Sequence, residues 1–194
     1  MFKKITIVLL SSLALFGCGG EEVVVPDAYQ GKAASYSYPD EDVKFYDKNG
    51  LMAVNVIAYA DSALSQEQRI ATAIEVARKW EDNTSSKLVF VTLWDPNMLK
   101  AGYLAKADLY VDKCGIDGKQ CDGIQWRISG STTTPKKLDK EVYKLWWANR
   151  NNYQTADGTT DNDLLKTAIS EHLSITPKQV SLFFYDNWTI EKEF

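Results

Sequence analysis

The sequence predicts an α+β protein: a mixed β-sheet of about five strands with one crossover helix, followed by a C-terminal unit of about three helices. Three observations predict it. Asn49-Gly50 separates two β-rich runs, a hairpin signal, because a type I′ turn needs positive φ at both central positions. A capped, amphipathic helical pattern then lies between two strand-like runs, which implies parallel strands joined by a right-handed crossover. From Thr134 onward the apolar residues recur at helical spacing instead of alternating.

The strands of the hairpin are read at Val43 to Asp47 and Leu51 to Tyr59. The second is apolar on both faces apart from Asn55, which predicts a central, covered position. In SQEQRIATAIEVARKWEDN, Ser65 and Gln68 make a capping box. Ile70, Ala73, Ile74, Ala77 and Trp80 share one helical face, and Glu75 and Lys79 form an i,i+4 pair away from it. KLVFVTLW reads as the next strand, ended by Asp95-Pro96. Asn97 to Ala105 reads as a loop or a helical turn. ADLYV and IQWRI read as a hairpin around CGIDGKQC. Thr134 as N-cap with Pro135 at the first helical position opens a helix with Leu138, Val142, Leu145, Trp146 and Asn149 on one face. Asp161 to Asp163 open a second, with Leu165, Ala168 and Ile169 inward. Thr176-Pro177 opens a third, over VSLFFYDNW, carrying Val180, Phe183, Phe184 and Trp188.

The N-terminus reads as an export signal. Lys3 and Lys4 precede an apolar run from Ile5 to Phe16, broken only by Thr6, Ser11 and Ser12. Such a run suits a secretory signal and is short for a membrane span. Leu15-Phe16-Gly17-Cys18 resembles the lipobox of bacterial prolipoproteins. Phe16 departs from the usual small or branched residue at its position. The resemblance implies that residues 1–17 are removed and that the Cys18 thiol carries diacylglycerol. Two or three acyl chains make a lasting anchor, since each buried CH₂ contributes about 0.8 kcal/mol. Gly19 after the cysteine resembles the enteric pattern sent to the outer membrane, on its periplasmic side, rather than kept at the inner membrane. Residues 18–42 read as a flexible tether, 43–130 as the mixed-sheet domain and 131–194 as the helical part packed on the sheet. Val23 to Val25 fit a linker better than an added strand. Tyr29, Tyr36 and Tyr38 are open to surface contacts or to docking back on the domain. The mature region also resembles, in general character, small lipoproteins of bacterial mobile elements and prophages.

Composition bounds the function. Apolar residues at 45% suffice for a core. The chain carries −4, and loss of Lys3 and Lys4 takes it to −6. An acidic chain outside the cytoplasm is a poor partner for nucleic acid, whose binding depends on basic side chains. With Cys18 assigned to lipid, Cys114 and Cys121 remain as an even pair, and a disulfide is the simplest reading in an oxidising compartment. A zinc site needs about four ligands, and a redox pair usually has C-x-x-C spacing.

The residues offer no catalytic set, metal site or cofactor motif. His172, near the apolar stripe of its helix, lacks a nucleophile motif to serve. Asp157, Asp161 and Asp163 miss the EF-hand order and suit a helix start. Asp112, Asp117 and Asp122 fit a solvated loop, with Asp112 and Asp122 flanking the hairpin base. LLKTAISEHLSITPKQV has a helix–turn–helix rhythm and reads as a closing helix pair. The six tryptophans are the main bias. Trp80, Trp146 and Trp188 fit core faces, whereas Trp94 and Trp147 are candidates for ligand or partner contact, since exposed aromatics stack on sugars or anchor proteins. The expectation is a membrane-anchored, non-enzymatic binding protein of the envelope with a protein or glycan partner. The alternative is an envelope hydrolase acting on cell wall or polysaccharide through a carboxylate pair.

Overall fold

The sheet starts from the predicted hairpin. In the computed structural model, which describes residues 22–61, 64–119, 121–186 and 191–194, β1 (Val43–Lys48) and β2 (Leu51–Tyr59) pair antiparallel. Asn49 and Gly50 join them with φ of 55° and 84°, the double positive φ that a type I′ turn requires. The Gly50 N–H donates to Asp47 Oδ1 at 3.0 Å. Helix α1 (Gln66–Thr84) carries the expected box: the Gln68 N–H donates to Ser65 Oγ and the Ser65 N–H to Gln68 Oε1. It delivers the chain to β3 (Leu88–Trp94), parallel to β2. β4 (Ala105–Tyr110) and β5 (Trp126–Gly130) follow antiparallel, and β6 (Glu191–Glu193) adds a sixth strand beside β5. Spatial order equals chain order, β1 to β6. Helix α1 covers one face, where Val54, Val56, Val89, Val91, Ala107, Leu109, Trp126 and Ile128 are all buried with Ile70, Ile74 and Ala77. No described helix is long and apolar enough to cross a membrane.

The fold class is as the sequence predicts, a mixed sheet with one helix between strands and a C-terminal helical group. Details differ. Helix α2 (Lys137–Asn149) starts two residues later than expected, because the Thr134 hydroxyl accepts a hydrogen bond from the Arg69 guanidinium and the Lys136 N–H donates to Asp139. Helix α3 (Asn162–Leu173) is capped by Asp161 as expected. The third helix shrinks to one 3₁₀ turn, Pro177–Gln179, and residues 180–186 have no regular secondary structure. This irregular stretch carries Tyr185 into the core, where its N–H donates to the Ala101 carbonyl. Trp188 lies outside the described residues. A small second core of Val142, Trp146, Leu165, Ile169 and Val180 unites α2 and α3. This unit joins the sheet at the end where β3 leads to β4: the Tyr143 hydroxyl accepts from the Lys100 N–H at 2.6 Å.

The stretch expected as a flexible tether is packed from Val23 onward. Val23 and Val25 lie against the main core and Tyr29 is buried in it. Tyr36 and Tyr38 dock back too, with Tyr38 tilted on Trp80 at 5.6 Å. Ser37 bridges to Tyr59, and the Tyr59 hydroxyl donates to Asp42 Oδ2 at 2.7 Å. That bond first, and burial second, push Tyr59 up to about 12 from 10.0. A raised acid of this kind stabilises the fold fully below the unfolded value, and that contribution is lost as pH rises from about 10 to about 12. Tyr59→Phe should therefore flatten the alkaline fall in stability over this window. An unchanged fall, followed by unfolding and tyrosinate absorbance together, would place the alkaline lability elsewhere.

Candidate binding surface

Side-chain alternation divides the sheet into two unlike faces. Opposite α1, registers across all strands align Lys44, Asn55, Phe90, Asp108, Arg127 and Glu193 in one row. Beside it run Tyr46, Ala53, Leu88 and Tyr110 on one side and Ile57, Thr92, Lys106 and Ser129 on the other. Asn55, Ile57, Phe90, Thr92, Trp94, Lys106, Asp108, Arg127 and Ser129 are all half-buried. The covered position expected for β2 is thus half met. β2 is central, with β1 and β3 on its flanks, but its Asn55 and Ile57 face an open surface. An antiparallel pairing tolerates one solvated face in this way.

The surface has a polar centre and an aromatic flank. Arg127 Nε reaches Glu193 Oε1 at 3.0 Å and its Nη2 reaches Asp122 Oδ2 at 3.5 Å. Its guanidinium lies 5.4 Å from the Tyr110 ring, which packs edge-on to Phe90 at 6.2 Å. Burial, then the Asp108 carboxylate, raise the Tyr46 and Tyr110 hydroxyls above the ordinary tyrosine range. Exposed ion pairs of this type add little stability. Tyr46 is 43% exposed.

Trp94 borders this surface, half-buried and edge-on to Tyr103 at 6.3 Å. Trp147 lies on α2, half-buried between the helical unit and the main core, with Lys100 Nζ at 4.0 Å and the Arg150 guanidinium at 4.9 Å from its ring. Neither indole stands clear of the protein, and each packs against different partners. Cys114 and Cys121 are disulfide-bonded. The bond closes the tip of the β4–β5 connection, since the strand pairing already ends with the Tyr110 N–H to Gln125 carbonyl bond. Asp112 and Asp122 do not meet: they accept from the Cys114 and Ile124 N–H groups, and Asp117 accepts from Asn49. Asp157 is gathered by Thr155 and Thr159 within its own turn, bonds that lower its carboxyl to about 2. His172 is exposed, at the rim of a groove of about 330 Å³ between α2 and α3. Among the described residues no cluster of three or more metal-ligating side chains occurs. Cys18 lies outside the described residues.

The row across the open face went unread in the sequence, although AKADLY and WRISG carried it: Lys106, Asp108, Arg127 and Ser129 alternate with apolar residues. A second omission is a buried polar junction. Arg69, fully buried in α1, donates to the carbonyls of Ser131 at 2.9 Å and Thr133 at 2.7 Å. Its guanidinium lies 5.6 Å from the Tyr185 ring, and the Tyr185 hydroxyl donates to the buried Asp95 carboxylate. Burial pulls Arg69 below its ordinary range, with Tyr185 and Asp95 acting against it.

Residues 31–185 match a family described as "Domain of unknown function (DUF4875)". A crystal structure described as a DUF487 family protein from Desulfovibrio piger superposes with a TM-score of 0.64 at 23% identity, over 84% of this chain and 96% of that one. At that identity the likeness shows the fold. No curated protein matches the chain.

Proposed function

We propose that this chain, which belongs to the DUF4875 family, is a lipid-anchored, non-enzymatic binding protein of the bacterial envelope. The observation that carries the binding half is the open sheet face, where a six-strand row, polar or charged except for Phe90, runs beside Tyr46 and Ile57. Half-buried aromatic and aliphatic groups next to oriented polar ones suit an envelope protein or a glycan. The Cys114–Cys121 bond supports an oxidising compartment. The signal-like N-terminus and Leu15-Phe16-Gly17-Cys18 support the anchor, and Gly19 supports the outer membrane. The hydrolase alternative takes two carboxylates about 5–10 Å apart in a cleft. Asp122 and Glu193 are instead both engaged by Arg127.

Growth on a labelled fatty acid tests the anchor. Label is expected in the wild type and lost in Cys18→Ser, whose signal should stay uncut; a labelled or normally matured Cys18→Ser protein sinks it. Capture from its own membranes tests the face. A Tyr46→Glu, Ile57→Glu double variant should release the component that the wild type retains, and full retention would move the binding site elsewhere.

A further inference from the structure

We infer that the end of the sheet bearing the Cys114–Cys121 loop is held flat against the lipid bilayer, with the α2–α3 unit pointing away from it. The inference rests on the Cys18 acylation proposed above and adds an orientation to it. The chain is fixed at its first described residues. The Val24 N–H donates to Gln125 Oε1 at 2.9 Å, Gln125 Nε2 donates to the Glu22 carbonyl at 3.2 Å, and Trp126 Nε1 donates to the Val24 carbonyl at 2.8 Å. Only four residue steps separate Cys18 from Glu22, a span of about 14 Å when fully extended. Acyl chains on Cys18 therefore bring this end of the domain to the headgroups and give it little room to turn.

The surface at that end suits such contact. Val24, Phe194 and Ile116 are 59%, 44% and 41% exposed. Val24 and Phe194 share a shallow depression of about 370 Å³ with Pro26, Asp27, Lys113 and Gly123. In the disulfide loop Asp112 accepts from the Cys114 N–H, Asp117 from Asn49, and Asp122 from the Ile124 N–H beside Arg127, and all three keep their charge. With Glu22 and Asp27 they outweigh Lys113 and Lys119, so net charge gives no attraction to anionic headgroups. The short tether and apolar contact set the orientation. Nine residues of β2 span about 30 Å, which places Lys100 and the attached helical unit well out from the bilayer.

The test uses the full lipidated protein in vesicles of phosphatidylethanolamine and phosphatidylglycerol with labelled lipid. A benzophenone amino acid replaces Ile116, Phe194 or, as the distal control, Leu164 of α3. Crosslinks to lipid are expected at 116 and 194 and only background at 164. A sixteen-residue Gly/Ser spacer between Gly20 and Glu21 lengthens the free chain about fivefold. Effective concentration falls roughly as the −3/2 power of length, so the yield at 116 should drop roughly tenfold. Equal yields at 116 and 164, or a yield indifferent to the spacer, would overturn the orientation. Intact mass separates the premise: a mature chain without acyl groups removes the anchor and this inference together, whereas an acylated chain without crosslinks overturns the orientation alone. Matching melting curves confirm that each variant is folded.

Discussion

Arg69→Met should destabilise the protein by about 4 kcal/mol and lower its melting temperature by about 12 °C. Methionine roughly keeps the volume, so little of this is a packing loss. The cost comes from the carbonyls of Ser131 and Thr133, which lose charge-assisted donors in a site closed to water. Replacing a whole buried ion pair with apolar residues is often neutral, because both partners leave together. Backbone carbonyls cannot leave. Tyr185 and Asp95 would also lose a cation beside them. Arg69→Lys keeps the charge but not the fork, and should fall between. Thermal and urea melts check this, and a change under about 1 kcal/mol in Arg69→Met would mean that water reaches those carbonyls.

Trp126→Ala should cost about 3–5 kcal/mol, the range for emptying a core site of an aromatic ring. Trp126 is 1% exposed and belongs to the main core. Its effect should have two separable parts. Trp126→Phe keeps most of the packing and removes the bond to the Val24 carbonyl, at about 1 kcal/mol. In Trp126→Phe, hydrogen exchange should quicken at residues 22–26 with β3 and β4 unchanged. In Trp126→Ala the whole sheet should exchange faster. Uniform acceleration in both variants would show that the N-terminal segment and the core open as one unit.

The sequence disclosed what local rules govern. Asn49-Gly50, the Ser65–Gln68 box and Asp161 act within a few residues, and each stands where it was read. What it concealed depends on distant partners. Thr134 is a fine N-cap in isolation, but Arg69, 65 positions earlier, takes its hydroxyl. VSLFFYDNW has helical periodicity, yet Tyr185 bonds to Asp95 and to the Ala101 carbonyl instead, partners more than 80 residues away. Val23 to Val25 read as linker because one short apolar run carries no period of its own. Its partners, Gln125 and Trp126, lie about a hundred residues on. The open face was legible in part. Alternation in β4 and β5 marks it, and the doubly apolar pattern of β2 hides it.

The clasp of Glu22 and Val24 onto Gln125 and Trp126 has a consequence for how the protein folds. Its bonds join positions 101 to 103 apart, and Tyr29 packs edge-on to Phe194 at 6.3 Å. Ring closure over such separations makes the barrier largely entropic and the search slow. The β1–β2 hairpin and α1 can form as soon as their residues are free. The clasp must wait for β5, and the Tyr29–Phe194 contact for the residues after β6, so the first residues of the domain to emerge are among the last to find their places.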